Sequence, residues 1–359
     1  MSTNRRDFIK NSLVTGLFTA GVGFGPLIKK GYAAPAKKVE FGTCKSVKVT
    51  CISETAWFDP AIMLHDIQST GGAMVSSYAH PWTQSNIGGY AALIEVEQLD
   101  GTMHNILMDA CWTQEWADYS FHKVGVDKML EDKKIDILVI THEHHDHYWG
   151  LKSVLKRYED IPIIFPNTFY PEGKLLMDGK YKNDIAMVEN DIPAKGERIE
   201  LGPDQPYKLF DGVLVKMYDL PIMNRVRGEQ NLYFNIKDKG ILCVSGCCHM
   251  GILNMLKWAQ RNIEGFKPYA AYGGLHIAAF ENWDPKFVDI IRGVKRMGLE
   301  KLACNHCAGW VWAQKAHDMG LPIVLGSDKY KEYKRLPVTG EGAKENVFMR
   351  NGDVHLFSA

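Results

Sequence analysis

Neither sign of charge predominates in this sequence: 42 lysines and arginines stand against 42 aspartates and glutamates. Proteins that hold polyanions do so with clustered positive charge, so the chain has no electrostatic footprint for nucleic acid or an anionic membrane surface. A long uninterrupted apolar run is also missing. The best candidate, Leu13 to Ile28, is short and diluted by Gly16, Gly21, Gly23, Gly25 and Pro26. A stable span needs about 20 apolar residues, which argues against one here. No internal repeat or low-complexity linker divides the chain. One large layered domain is therefore expected.

What the sequence does have is concentrated at Ile140-Thr141-His142-Glu143-His144-His145-Asp146-His147. The run before it, Ile135 to Ile140, is apolar and β-branched and reads as a buried strand. The run after it, Tyr148 to Arg157, places Trp149, Leu151, Val154 and Leu155 at helical spacing. The cluster thus falls on a turn between a core strand and a helix. Residues two apart in an extended segment face the same way, so His142 and His144 can reach one cation. Asp146 and His147, where the chain turns, would face a second. Neutral imidazoles with one hard carboxylate suit zinc, with iron or manganese as alternatives, and suit calcium poorly.

Other strands repeat the pattern. Ile241 to Ser245 is apolar and runs through Gly246-Cys247-Cys248 to His249; Lys267 to Tyr272 ends at Gly273-Gly274-Leu275-His276; Lys301 to Cys304 ends at Asn305-His306. Strands that alternate with helices predict sheets covered by helices, with a site at one strand-end edge. Tyr90 to Glu97 and His104 to Asp109 read as a hairpin turned at Asp100-Gly101. Val347 to Arg350 and Val354 to Phe357 read as a second, around Asn351-Gly352. Glu54 to Ser85 shows no periodicity and reads as a long loop, of the kind that forms lids or pocket walls. Pro166 to Lys208 is polar and turn-rich.

His142-x-His144-x-Asp146-His147 resembles the signature of the metallo-β-lactamase superfamily. Asn86-Ile87-Gly88-Gly89, Ile106-Leu107-Met108-Asp109, Gly228-Glu229-Gln230, Gly246 to Ile252, Gly273 to His276 and His306-Cys307-Ala308-Gly309 follow in an order similar to the branch named for the dihydropterin-aminobenzene-phosphate synthase of methanopterin biosynthesis. The resemblance implies a four-layer αββα sandwich holding two divalent metal ions. His142, His144 and His249 would bind the first, and Asp146, His147 and His306 the second. It also places a carboxylate behind the ligands, where Asp109 ends its strand; Asp109 either orients a histidine there or caps a helix. The superfamily carries a bridging aspartate at the strand end where this chain has His276. His276 then ligates, or meets substrate, or leaves hydroxide as the bridge. Cys247 and Cys307 adjoin ligands, and thiolate ligation, packing and a disulfide are all open to them.

The remaining site candidates concern the substrate. Arg225 and Arg227 lie on a loop and could hold a phosphate or carboxylate, or be solvated. Trp149 and Trp310 follow the ligands and could stack a flat group or pack helices onto the sheet. Trp310, beside His306, is the one expected to stack. Asn4-Arg5-Arg6-Asp7-Phe8-Ile9-Lys10 resembles a twin-arginine export signal, and Ala34-Pro35-Ala36 a cleavage pattern. Residues 1–36 are then a signal peptide read by the twin-arginine export machinery, and residues 37–359 a single periplasmic domain. Its expected activity is hydrolysis of a small ester, lactone or phosphoester by metal-activated water, with Asp146 orienting that water. A transferase like the branch's namesake and a non-catalytic or redox di-metal protein are the alternatives.

Overall fold

The computed structural model describes residues 38–336, 339–340 and 345–359. The export signal read from the first residues lies outside them. Two sheets face each other. The first has seven strands in the order Val354–Ser358, Ser46–Ser53, Ala91–Glu97, Met103–Met108, Ile137–Val139, Ile163–Pro166, Arg198–Leu201. The second has six: Lys301–Cys304, Pro268–Gly273, Gly240–Ser245, Arg227–Ile236, Val213–Pro221, Tyr207–Phe210.

Side chains alternate across a strand, so a strand buried on both faces must be apolar throughout. That is close to the composition of Ile137–Val139, Ile163–Pro166, Gly240–Ser245 and Pro268–Gly273, and the three apolar layers of the molecule show how it is used. Val47, Val49, Ile94, Val96, Ile106, Val139 and Ile164 point between the sheets and meet Val215, Leu232, Phe234, Leu242, Val244 and Tyr272. Their neighbours Leu93, Leu107, Leu138 and Ile163 point outward, to Trp116 and Phe121 of helix Gln114–Val124 and to Leu151 and Leu155 of Leu151–Leu155. On the far side, Ile241, Cys243, Ala271 and Leu302 meet Ile252 and Leu256 of Ile252–Asn262, Ile291 and Val294 of Phe287–Met297, and Trp312 of Trp310–Asp318. Helix, sheet, sheet, helix is the expected four-layer order.

Three local expectations are corrected. The C-terminal segments do not pair as a hairpin: Val354–Ser358 runs antiparallel to Ser46–Ser53 in the first sheet, while Met349 donates its N–H to the Cys304 carbonyl in the second. The turn at Asn351-Gly352 bridges two sheets because buried Asp353 accepts from Arg350 N and Ser327 N. The stretch 54–85 holds a helix, Pro60–Ser69, begun by Asp59 as its cap and a proline in its first turn, a signal independent of apolar periodicity. The helix after the opening motif is split into His145–Tyr148 and Leu151–Leu155 at Gly150.

Candidate metal centre

All the candidate ligands sit just past the carboxyl ends of strands. His142 and His144 follow Ile137–Val139, and Asp146 and His147 lie in the single turn His145–Tyr148. Cys247 and His249 follow Gly240–Ser245, His276 follows Pro268–Gly273, and His306 follows Lys301–Cys304. The last three strands are parallel, which brings their ends to one edge. Two glycines make that convergence possible. A Cβ on Gly274 would stand 2.2 Å from the Gly246 carbonyl and 2.9 Å from Cys307 Sγ; one on Gly246 would stand 2.5 Å from Thr141 Oγ1.

The structure brings together both predicted triads. Ligand atoms of His142, His144 and His249 lie within 4.8 Å of one another, as do those of Asp146, His147 and His306. Each histidine has one ring nitrogen tied back to the protein and the other turned inward. His147 Nδ1 donates to Asp109 Oδ2 at 2.6 Å, His142 Nδ1 to Thr141 Oγ1 at 2.9 Å and His306 Nδ1 to the Glu54 carbonyl at 3.0 Å. His144 Nε2 donates to the Met223 carbonyl at 3.0 Å, and His249 Nδ1 to Glu229 Oε1 at 3.2 Å. The inward nitrogens converge: His142 Nε2 and His144 Nδ1 are 2.9 Å apart, and His147 Nε2 and His306 Nε2 are 3.1 Å apart. His249 Nε2 is buried with no protein partner. Outer hydrogen bonds that set tautomer and orientation are what a metal-ligating histidine requires, so the donor set fits divalent cations.

The electrostatics agree. Burial, then the mutual repulsion of neighbouring rings, holds His142, His147 and His249 well below the ordinary imidazole value, and His144 likewise. A neutral imidazole keeps the lone pair that a metal needs. His306 differs: burial opposes its charge, but Cys307 and Asp146 outweigh burial and push it up to about 9, so a cation there competes with a proton. Burial raises Asp146 to about 6 against the pull of His306. Non-glycine residues in the left-handed region cluster here too, among them Asp109 (φ 62°), Cys248 (φ 55°), His276 (φ 42°) and His306 (φ 52°). Such conformations cost roughly 1–3 kcal/mol each and persist where the surroundings impose them.

Asp109 stands behind His147 and caps no helix: its oxygens also accept from Thr141 N at 2.7 Å and Thr141 Oγ1 at 2.8 Å. His276 lies at the rim, its ring 4.4 Å from that of His249. Of the substrate candidates, the two tryptophans pack in apolar layers and the two arginines are exposed. Trp149 is buried in the outer apolar layer, stacked on Tyr78 at 5.0 Å, because its one-turn helix points it away from the ligands. Arg227 is exposed and paired with Asp219 at 2.6 and 2.8 Å; Arg225 is exposed on the turn Met223–Arg225. Trp310 packs on Phe348 at 5.5 Å, under the Arg350 guanidinium at 4.7 Å. Trp310→Leu is accordingly expected to lower stability by about 1–3 kcal/mol, read as a fall in melting temperature, and to leave KM unchanged.

The apolar wall over the ligands comes instead from Trp57, Met63, Met223 and Phe280, with Trp57 and Phe280 stacked at 5.6 Å. The sequence reading places Trp57 and Met63 in a lid or pocket wall and misses Met223 and Phe280, which lie in segments without periodicity. It also gave no role to Glu229, whose place between Gly228 and Gln230 in a buried strand was the available signal. Burial, then the charge of Cys307, pushes Glu229 up to about 8. All eight cysteines are free thiols and buried.

Residues 89–220 match the metallo-beta-lactamase superfamily, a region that holds the His142-to-His147 cluster but ends before His249. The 7,8-dihydropterin-6-methyl-4-(beta-D-ribofuranosyl)-aminobenzene-5'-phosphate synthase of Methanocaldococcus jannaschii is 28% identical over 258 residues, covering 64% of this chain and 82% of that protein. Among solved structures, a metal-dependent hydrolase of the beta-lactamase superfamily has a TM-score of 0.48 at 14% identity, over 76% of this chain and 91% of that one. A quorum-quenching N-acyl homoserine lactone lactonase has a TM-score of 0.32 at 17% identity, over 57% and 74%.

Proposed function

We propose that this protein is an exported, metal-dependent hydrolase that uses activated water on a small ester, lactone or phosphoester. The observation that carries the reading is the pair of triads whose outward nitrogens are all anchored and whose inward nitrogens converge. Two divalent cations held by His142, His144 and His249, and by Asp146, His147 and His306, would supply a water with its pKa lowered from 15.7 to roughly 7 and polarise the attacked group. The chain's own residues do the rest. Asp146 Oδ2, 3.5 Å from His306 Nε2, would orient that water and accept its proton. Trp57 and Phe280 exclude bulk solvent and offer an apolar face to the substrate. The cavity they cover has a volume of about 20 Å³. That is room for a single water, so a substrate meets the ligands at the rim, where His276 stands.

The test is metal analysis of the purified protein together with a screen of phosphodiesters, lactones and thioesters. Two equivalents of divalent metal and one hydrolysed class, lost on chelation and restored by metal, are expected. A protein that binds no divalent metal would refute the reading. The similarity to a synthase favours a second reading, group transfer without water. Isotopically labelled water separates the two, since hydrolysis puts the label in the product and transfer does not. For export, Arg5→Lys with Arg6→Lys is expected to leave the uncleaved chain inside the cell, because a receptor reads the arginine pair. Mature protein appearing in the periplasm at the normal level would contradict it.

A further inference from the structure

At the middle of the ligand cluster lies a sulfur atom. Cys247 Sγ is 3.1 Å from His147 Nε2 and 3.2 Å from His306 Nε2, and those nitrogens are 3.1 Å from each other. The three atoms make a nearly equilateral triangle. Donors bonded at ~2.0–2.3 Å to one tetrahedral cation must sit ~3–4 Å apart, so the triangle has the dimensions of one face of a coordination shell. Asp146 Oδ2, at 3.5 Å from His306 Nε2 and 3.7 Å from His147 Nε2, stands at the distance of a fourth corner. The sulfur also lies within 4.8 Å of a ligand atom of His142, so it faces the first triad too.

We propose that Cys247 is a thiolate ligand of the cation held by Asp146, His147 and His306. The assignment rests on the reading of the site as a metal centre. Binding breaks the S–H bond, forms the sulfur–metal bond and releases the proton to solvent. A soft donor also changes the choice of ion: thiolate favours zinc and cobalt(II) over manganese. Cys307 is engaged differently. Its sulfur accepts the His276 N–H at 3.2 Å and lies 3.5 Å from the Cys247 carbonyl. It also lies within 4.8 Å of the ligand atoms of Cys247 and His306, so Cys307→Ser is the control that separates the two sulfurs.

Cobalt(II) is the probe, loaded anaerobically into the mature protein. The expected result is a thiolate-to-cobalt charge-transfer band in the near-ultraviolet, beside the visible ligand-field bands. Cys247→Ser should lose the band and about one of two cobalt equivalents on dialysis, while Cys307→Ser keeps the band. Cys247→Asp should recover the equivalent without the band and shift the preference toward manganese. X-ray absorption of the zinc-loaded wild type needs no variant and should show a sulfur scatterer at about 2.3 Å. Full cobalt occupancy with no charge-transfer band, or a band that survives in Cys247→Ser and vanishes in Cys307→Ser, would overturn the assignment and leave the metal centre standing. Failure to bind cobalt or zinc at all would overturn both.

Discussion

His306→Ala, and separately His144→Ala, should each lower bound divalent metal by about one equivalent and abolish turnover. The size of the effect follows from how few bonds are involved. A tetrahedral site has four ligands, so deleting one imidazole removes a quarter of the shell. His306 is also the ligand that ties the second triad to the first sheet, through its Nδ1 bond to the Glu54 carbonyl. His144 ties the first triad to the Met223 turn. Cation catalysis contributes several kcal/mol, and each 1.36 kcal/mol is a factor of ten, so a loss of roughly 10³ or more in kcat/KM is expected. The fold should survive, because neither side chain is part of an apolar layer. Metal content by elemental analysis, with circular dichroism as the folding control, decides the matter. Two full equivalents in either variant would rule out the ligand assignment.

Asp109→Ala should produce the second large effect, and on two properties at once. The carboxylate is fully buried and accepts three hydrogen bonds, from Thr141 N, Thr141 Oγ1 and His147 Nδ1. Removing it strands three donors away from water. A stranded buried donor costs about 1–3 kcal/mol, so a loss of roughly 3–5 kcal/mol is expected after partial relaxation. His147 would also lose the partner that fixes its tautomer, which typically lowers metal affinity by about 10–100-fold. Asp109→Asn separates the two effects. Its amide keeps an acceptor for Thr141 N but cannot also offer a charged oxygen to His147. Metal affinity should therefore fall while the melting temperature of the metal-free protein changes little. Unchanged affinity in Asp109→Asn would show that the carboxylate serves the fold alone.

Much of this architecture is legible in the residues alone, for a definite reason. Strands buried on both faces must be apolar, so Ile137 to Ile140, Ile241 to Ser245 and Lys301 to Cys304 announce themselves by composition. Histidines clustered at their ends are too costly to bury by chance, so they mark where the chain meets a ligand. The helix Pro60–Ser69 was not legible from periodicity, because only Met63, Asp66 and Ile67 are buried on it. Its proline and its aspartate cap were the better guide. The Asn351-Gly352 turn was visible as a turn, but not what it joins. A turn specifies a local reversal, whereas the choice of neighbouring strand depends on contacts hundreds of residues away, here Ser46–Ser53.

The site divides along the same line. Residue types alone identify the side chains that can bind a cation, and the order in which strands deliver them. Ligand chemistry is a property of residue type, and the two-residue period of an extended segment is a property of the backbone. Which aromatic side chains wall the site depends on packing across the whole fold. Trp149 and Trp310 lie beside ligands in the sequence, yet they turn into apolar layers, while Trp57, far from any ligand in the sequence, and Phe280, four residues past His276, cover the cleft. The tertiary structure likewise placed Cys247 between His147 and His306 and set Glu229 behind His249. A side chain's direction is set by the element it leaves and by what that element packs against. Those are sums over residues far apart in the chain, which no local pattern encodes.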